Sequence, residues 1–171
     1  MVFCRVMDPQ GLLRLDRFCG RELYAIERAE VYVSLPDEGE VGIILNLEFH
    51  CGALIHSTLS DEVRCMYSPS VEVNVPIASL APADLLGKTV HVAKSLNQER
   101  DTWNRIYVYE HEDLRDMTVS FLELTGKRCR LWLTGHTQDP NHYDGSKPET
   151  VVRLDGWFPV AKLKDAARRP A

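Results

Sequence analysis

The chain has 171 residues, of which 44% are hydrophobic and 26% are charged, and its formal net charge is −5 at pH 7. This composition excludes a disordered chain and predicts a single packed domain over residues 1–171. The negative charge gives no electrostatic reason to expect nucleic acid or an anionic membrane surface as a partner.

Most of the chain alternates apolar and polar residues, the pattern of strands that pack on one face. In VGIILNLEF the side chains of Leu45 and Leu47 are expected to face the core, and in VEVNV those of Val73 and Val75 are expected to lie opposite Asn74. In chain order the predicted strands are AEVYVSL (29–35), VGIILNLEF (41–49), VEVNV (71–75), KTVHVA (88–93), NRIYVYE (104–110), MTVSFLEL (117–124), KRCRLWLT (127–134) and ETVVRLDGWF (149–158).

Turn-forming residues separate these runs, and helix signals are few. The segments PDEGE, HEDLRD, TGK and DPNHYDGSKP read as turns, with a hairpin around Gly126. Ser79 is expected to cap a short helical turn over LAPADLL that ends at Gly87. For residues 16–29 the sequence does not decide between a helix and another structure, because Gly20 interrupts their helical spacing. We therefore predict an all-β, mainly antiparallel sandwich or barrel of about nine strands with little helix.

Two halves of the chain resemble each other. A shift of 75 residues lays EVYVSLPDEGE over RIYVYEHEDLR, and a shift of 83 residues brings Pro76 onto Pro159, each at the start of a P-[IV]-A-x-L segment. This order indicates a duplicated β unit over residues 20–86 and 95–165. The alternative is chance similarity between strands built from the same few residue types.

The cysteines point to a reducing compartment. They are odd in number, widely spaced and free of any C-x-x-C pair, which favours reduced thiols over disulfides or a zinc site. The chain also has no apolar segment long enough to span a membrane and no signal-peptide pattern at Met1, so we expect a cytoplasmic protein. The five are Cys4, Cys19, Cys51, Cys65 and Cys129.

Two groups of residues are weak candidates for metal ligands. The first is His50 and His56, near Cys51, because imidazole and thiolate suit zinc. The second is a polar loop whose oxygen donors and following glycine resemble a calcium loop, although the spacing does not fit. In both groups ordinary structural side chains are the more common explanation. The candidates in the loop are His136, Asp139, His142 and Asp144.

Catalytic motifs are missing from the sequence. It contains no G-x-S-x-G elbow and no glycine-rich phosphate loop, and acidic pairs such as Glu112 and Asp113 read as solvated surface groups in a turn. We therefore expect no cofactor, and nothing in the sequence assigns enzymatic activity. Aromatic and arginine side chains on the predicted outer faces are instead typical of protein interfaces, unless another part of the chain covers them. These interface candidates are Arg105, Tyr107, Tyr109, Arg130 and Trp132.

Three functions remain as hypotheses. The first is a non-enzymatic binding protein, of the inhibitor, adaptor or toxin-neutralising immunity type, that captures a basic protein partner. The second is a sandwich or barrel that holds a small apolar or saccharide ligand, with Trp103, Trp132 and Trp157 as stacking groups. The third is a metal-dependent enzyme that uses His50 and His56 or the loop 136–144. The sequence does not indicate the oligomeric state.

Overall fold

The molecule is built mostly from antiparallel strands. The computed structural model describes residues 10–35, 42–98, 102–161 and 163. The all-β, mainly antiparallel class predicted from the sequence is confirmed, and helix α1 (Pro82–Leu85) is one turn long. The strands are β1 (Gly11–Arg17), β2 (Gly20–Ser34), β3 (Ile43–Ser57), β4 (Ser70–Ile77), β5 (Thr89–Val92), β6 (Leu96–Asn97), β7 (Thr102–Trp103), β8 (Arg105–Tyr107), β9 (His111–Asp113), β10 (Arg115–Leu124), β11 (Arg128–Thr137) and β12 (Thr150–Pro159).

Within the described residues, ten strands form one sheet, and the other two form a small hairpin. The order in the large sheet is β5-β10-β11-β12-β1-β2-β3-β4-β8-β9, while β6 pairs with β7. Strand β4 also approaches β5, although seven places in the order separate them. The sheet therefore curls back on itself, which gives it the sandwich-like or barrel-like arrangement expected from the sequence.

The concave face of the curled sheet encloses one hydrophobic core. Alternate residues of each long strand point into it, as the period of two requires. Leu45 and Leu47 on β3, Val73 on β4 and Leu131 and Leu133 on β11 are all 0% exposed. The predicted inward faces of these strands are therefore the observed ones.

Asn74 departs from the expected alternation. It was expected to face solvent, but it is 5% exposed. Its backbone N–H donates to Oδ1 of Asn104 at 2.6 Å, and its Nδ2 donates to the Trp103 carbonyl at 3.0 Å. The pairing of β4 with β8 stops at Glu72, so Asn104 takes the place of a strand partner beyond that point. A buried amide pair thus satisfies backbone groups that the sheet ladder leaves open.

Two segments were assigned wrongly or left open by the sequence. Residues 16–29 form the end of β1, a turn and much of β2, because Arg17 pairs with Gly20 across a two-residue loop. Residues 111–113, expected in a turn, form β9 and pair with β8. Helix α1 lies within the predicted segment, but Ser79 is not its cap: the N-cap is Ala81, which makes no side-chain cap hydrogen bond. The Ser79 hydroxyl instead accepts a hydrogen bond from the Ala81 N–H at 3.1 Å, before the helix begins.

The duplicated unit stays a prediction. Pro76 and Pro159 both lie at the ends of strands, in β4 and β12. However, β3 pairs directly with β4, whereas β11 separates β10 from β12. The shift of 75 residues also matches the buried Leu47 with Leu122, which is 45% exposed.

A buried ionic network holds two loops against the β1–β2 hairpin, and Arg17 is its centre. Its Nε and Nη2 each donate to the Asp139 carboxylate at 2.8 Å. Its Nη1 donates to the Val63 carbonyl at 2.7 Å and to Glu22 at 3.2 Å. One guanidinium therefore joins the hairpin to the 58–69 loop and the 138–149 loop.

Glu22 extends this network towards the 58–69 loop. It is 0% exposed, and its carboxylate accepts hydrogen bonds from the backbone N–H of Cys65 at 2.7 Å and from the Tyr24 hydroxyl at 3.2 Å. Burial, together with the neighbouring Cys65 and Glu22, raises the pKa of Tyr24, which keeps this hydroxyl protonated as a donor. Each carboxylate oxygen of Glu22 thus has a donor, as a buried charge requires.

We expect Arg17→Met to lower the free energy of unfolding by about 3 to 5 kcal/mol, because it leaves two buried carboxylates without their cation. Urea unfolding followed by fluorescence measures this change. The matched control is Arg28→Met, since the Arg28 side chain is 62% exposed and pairs only with Glu30 among the ion pairs described. That variant should stay within about 0.5 kcal/mol of the wild type. Equal effects of the two substitutions would contradict the central role of Arg17.

The stability of the protein should also depend on the ionisation of Asp139. Burial alone would raise the pKa of Asp139, but the hydrogen bonds from Arg17 and from the Asn141 N–H outweigh it and hold this pKa below its ordinary value. A carboxyl group whose pKa is lower in the folded state than in the unfolded state stabilises the protein when the pH is above the unfolded-state pKa of about 3.9. This stabilisation is lost as the pH falls through the folded-state pKa. Below about pH 4, the wild type should therefore lose stability more steeply than Asp139→Asn in urea titrations; parallel curves would show that Asp139 does not contribute.

Candidate functional site

Four of the interface candidates lie on two separate parts of the outer surface, and the fifth, Tyr109, is half-buried against the core. Arg130 and Trp132 belong to β11, whereas Arg105 and Tyr107 belong to β8, with Tyr109 two residues beyond. Five strands lie between β11 and β8 in the sheet order. The structure therefore brings the five residues together as two groups.

In the β11 group, the arginine is engaged within the protein. Arg130 donates two hydrogen bonds to the Asp155 carboxylate, at 2.8 and 2.7 Å, and also contacts Glu123. Trp132 is 36% exposed and lies directly opposite Asp155. On β12, Trp157 lies two residues beyond Asp155 and pairs with Arg130. Trp132 and Trp157 are therefore diagonal neighbours on the outer face.

Tyr107 of the β8 group forms a stack with two rings from outside the group, and successive rings are tilted by 43° and 47°. The pairing of β8 with β9 places His111 opposite Tyr107 and Asp113 opposite Arg105. The ring centroid of His111 lies 4.9 Å from that of Tyr107 and 6.1 Å from that of Trp103. We call these three residues, Trp103, Tyr107 and His111, the aromatic edge, because β9 is the last strand of the large sheet in the part of the chain described.

Polar contacts fix the rings of the aromatic edge in place. The indole Nε1 of Trp103 donates to the Asp113 carboxylate at 2.7 Å, and the guanidinium of Arg105 lies 5.0 Å from the centroid of the Trp103 ring. Arg105 also donates to Glu72 at 2.7 Å, which balances its charge. Tyr107 is 41% exposed, so the stack presents a pre-positioned aromatic surface to solvent.

Three carboxylates lie at the same end of the sheet as the aromatic edge: Asp113 shares its outer face, Glu110 precedes β9, and Glu112 is on the opposite face of β9. Glu112 was expected to be a solvated acid in a turn, but it lies opposite Ile106, whose side chain is 2% exposed and faces the core. Partial burial, with the charges of Glu110 and Asp113, raises the pKa of Glu112. The register of β9 thus explains why the prediction of a solvated acid was wrong for Glu112. Together the three carboxylates give this end of the sheet a negative electrostatic field.

The 58–69 loop carries two further residues with exposed side chains, both of which contact Tyr109. Ser70 is the β4 partner of Tyr107, and just before it the 58–69 loop carries Met66 and Tyr67, which are 77% and 60% exposed. The Tyr67 and Tyr109 rings meet edge to face at 5.6 Å, and the Tyr109 hydroxyl accepts a hydrogen bond from the Met66 N–H at 2.9 Å. Tyr109 is thus half-buried beneath an exposed loop.

The first group of metal candidates is spread along β3. His50 pairs with Arg28 and His56 with Leu23, so six residues, or about 20 Å of strand, separate the two imidazoles. The Nε2 of His50 lies 3.1 Å from the carboxylate of Glu48, and His56 is exposed. These two histidines are too far apart to ligate one ion.

The second group of metal candidates is held by other contacts. Asp139 is the buried partner of Arg17, and Asp144 accepts a hydrogen bond from the Ser146 N–H at 3.0 Å. His142 packs its ring edge to face against Phe18 at 5.6 Å, and Nδ1 of His136 lies 4.0 Å from Glu149. Within the described residues, no cluster of three or more His, Cys, Asp or Glu side chains is arranged to hold a metal.

The cavities do not bring the tryptophans together. A cavity of about 490 Å³ lies between the end of β4, α1 and β5, with Ile77, Leu85 and Phe121 in its walls. Trp103, Trp132 and Trp157 are absent from its lining and lie on the outer faces of other strands.

The sequence predicted two members of the aromatic edge but not the third, and it did not bring them together. Tyr107 was an interface candidate and Trp103 a stacking candidate for a different function, whereas His111 sits with Asp113 in a segment read as a turn. The signal that was available is the match of RIY with HED across three turn residues, which a short hairpin would pair. Tyr67 and Met66 carry no strand pattern, so their position beside Tyr109 depends on the fold.

No protein-family model matches the chain, and it has no significant match among curated proteins or solved structures. Among the residues that the structure describes, no helix has the length and apolar character needed to cross a membrane.

The buried thiols should be unreactive in the folded protein. Burial raises the pKa of Cys65 and of Cys51 to about 12 and that of Cys129 to about 11, whereas Cys19 is exposed. With iodoacetamide near neutral pH, we expect Cys19 to be alkylated at least about tenfold faster than these three, since the thiolate is the reacting form. Peptide mass spectrometry gives the rates, and unfolded protein serves as the control. Equal rates for Cys65 and Cys19 in the folded state would contradict the burial.

Proposed function

We propose that this protein is a non-enzymatic binding protein that captures another protein with a basic surface through the aromatic edge. One observation carries the proposal: the exposed Tyr107 and His111 and the half-buried Trp103 form a stack at the end of the described sheet that carries three carboxylates. Tyrosine and tryptophan are the residue types enriched in interface hot spots.

The stack is suited to act as an anchor because its rings are already ordered. Binding orders flexible side chains at a cost of about 0.5 to 1.5 kcal/mol each, and rings held by their neighbours avoid much of that cost. Trp103 is held by Asp113 and Arg105, and Tyr107 by His111. The adjoining Tyr67 and Met66 enlarge the apolar area available to a partner.

Charge supports a basic partner. The pairs Arg105 with Glu72 and Arg115 with Glu149 are each balanced. Glu110, Glu112 and Asp113 add negative charge beside them, in a chain whose net charge is already −5. Such a field speeds the encounter with a positively charged surface and weakens with added salt.

We place this interaction in the cytoplasm. Cys19, Cys51, Cys65 and Cys129 are all free thiols in the structure, with Cys4 outside the described residues. Unpaired cysteines of this kind support a reducing compartment, where disulfides are rare.

The test is affinity capture from the native host, followed by binding measurements on the purified partner. We expect Tyr107→Ala to weaken binding at least about tenfold, because it removes an exposed anchor from the stack. The double variant Glu110→Gln with Glu112→Gln should lower the association rate several-fold and reduce its dependence on salt.

Trp132→Ala is the matched control, since Trp132 has a similar exposure on a different surface. It should bind the partner with unchanged affinity. Weaker binding by Trp132→Ala with normal binding by Tyr107→Ala would assign the interface to β11 and overturn the proposal. An acidic partner, or binding insensitive to the carboxylates, would overturn the charge argument.

A further inference from the structure

Three arginines converge on one carboxylate on the outer face of β12, β1 and β2. Arg21 donates to Oδ1 of Asp16 at 2.8 Å, and Arg14 lies 3.0 Å from Oδ2. Arg153 contacts the same Oδ2. We call Arg14, Arg21 and Arg153 the arginine cluster. Three positive charges share a single negative one, so two positive charges remain unbalanced within this group.

The register of the strands makes this arrangement unfavourable by itself. Arg14 on β1 is the direct partner of Arg153 on β12. Like charges directly opposite each other destabilise antiparallel sheets. Asp16 is the direct partner of Arg21 and lies two register positions from Arg14 along β1, at the next residue on the same face. A second anion would remove the remaining repulsion.

The arginine cluster lines a depression at the β1–β2 hairpin. The depression has a volume of about 700 Å³, and Phe18 and Thr58 form part of its rim. The side chains of Arg14, Arg21 and Arg153 are 34%, 53% and 31% exposed, so a solute can reach them.

A fourth cation lies beside Phe18, one of the residues that line the depression. The ammonium group of Lys147 lies 5.6 Å from the centroid of the Phe18 ring. Phe18 is itself 44% exposed, and the ring of His142 packs against it edge to face. Arg17 also borders the depression, but Asp139 and Glu22 engage its guanidinium. The cations available to a ligand are therefore the arginine cluster and Lys147.

We propose that this depression binds a dianionic oxyanion, the phosphoryl group of a phosphate or phosphate monoester. Guanidinium groups form parallel pairs of hydrogen bonds with tetrahedral oxyanions, which a point charge such as chloride does not reproduce. The charge of a dianion also matches in magnitude the two positive charges that Asp16 leaves unbalanced. This site is separate from the aromatic edge, and it adds a small anionic ligand to the proposed protein partner.

The direct test is a titration with inorganic phosphate at constant ionic strength, followed by the NMR signals of the arginine Nε–H groups. We expect saturable shifts for Arg14, Arg21 and Arg153, with a dissociation constant on the order of 1 mM. Sodium chloride at matched ionic strength should give no such shifts. Equal responses to chloride and phosphate, or no saturation, would overturn the proposal.

Two substitutions with opposite expected effects strengthen the test. Arg21→Gln should weaken phosphate binding about tenfold, and Asp16→Asn should tighten it about tenfold by removing the competing carboxylate. Arg28→Gln, which removes the same charge from an arginine paired with Glu30, is the matched control and should change little. Circular dichroism confirms the fold of each variant. If Arg21→Gln and Arg28→Gln lose the same affinity, the effect is one of overall charge and the site does not exist.

Phenyl phosphate distinguishes an ester from free phosphate as the ligand. If the organic group lies against Phe18, phenyl phosphate should bind several-fold more tightly than inorganic phosphate, and Phe18→Ala should abolish only that difference. Equal affinities would support free phosphate as the ligand. Loss of inorganic phosphate binding in Phe18→Ala, with the fold intact, would contradict the assignment of the anion to the arginine cluster.

Discussion

The guanidinium of Arg17 is the group on which one end of the molecule depends. It is almost fully buried, and it balances carboxylates from two distant parts of the chain, Glu22 and Asp139. Because these charges cannot be hydrated, each must find its partner inside the protein. The 58–69 and 138–149 loops have little regular structure, so this network rather than a sheet ladder sets their position.

The two loops that Arg17 holds carry side chains used in the two proposals. The 58–69 loop carries Tyr67, whose ring meets that of Tyr109, and the 138–149 loop carries Lys147, whose ammonium group lies over the Phe18 ring. The two sites are opposite in charge and lie on different strands, β8 and β9 for one and β12, β1 and β2 for the other. The net charge of −5 is a sum over the whole chain, so it does not reveal the local cationic patch of the arginine cluster.

Period-two alternation was enough to predict the class of fold and the inward residues of β3 and β11, because burial on one face of a strand leaves its mark in adjacent residues. The pairing of Arg17 with Asp139 spans 122 positions and leaves no local pattern. Asn74 looked like a solvent-facing residue because its partner, Asn104, lies in another segment. The sequence predicted the interface candidates from their residue types and their outward phase in the strands. Their division into two groups depends on the strand order, which alternation does not reveal.

The place of β12 between β11 and β1 has a consequence for folding during synthesis. Strand β1 leaves the ribosome with β2 as a neighbour, but its second partner follows more than a hundred residues later. At ordinary rates of translation, one long edge of the β1–β2 hairpin stays unpaired for on the order of ten seconds. An unpaired edge of that kind is a template for pairing between nascent chains. The charged outer residues Arg14 and Asp16 on β1 then oppose aggregation before the native sheet is complete.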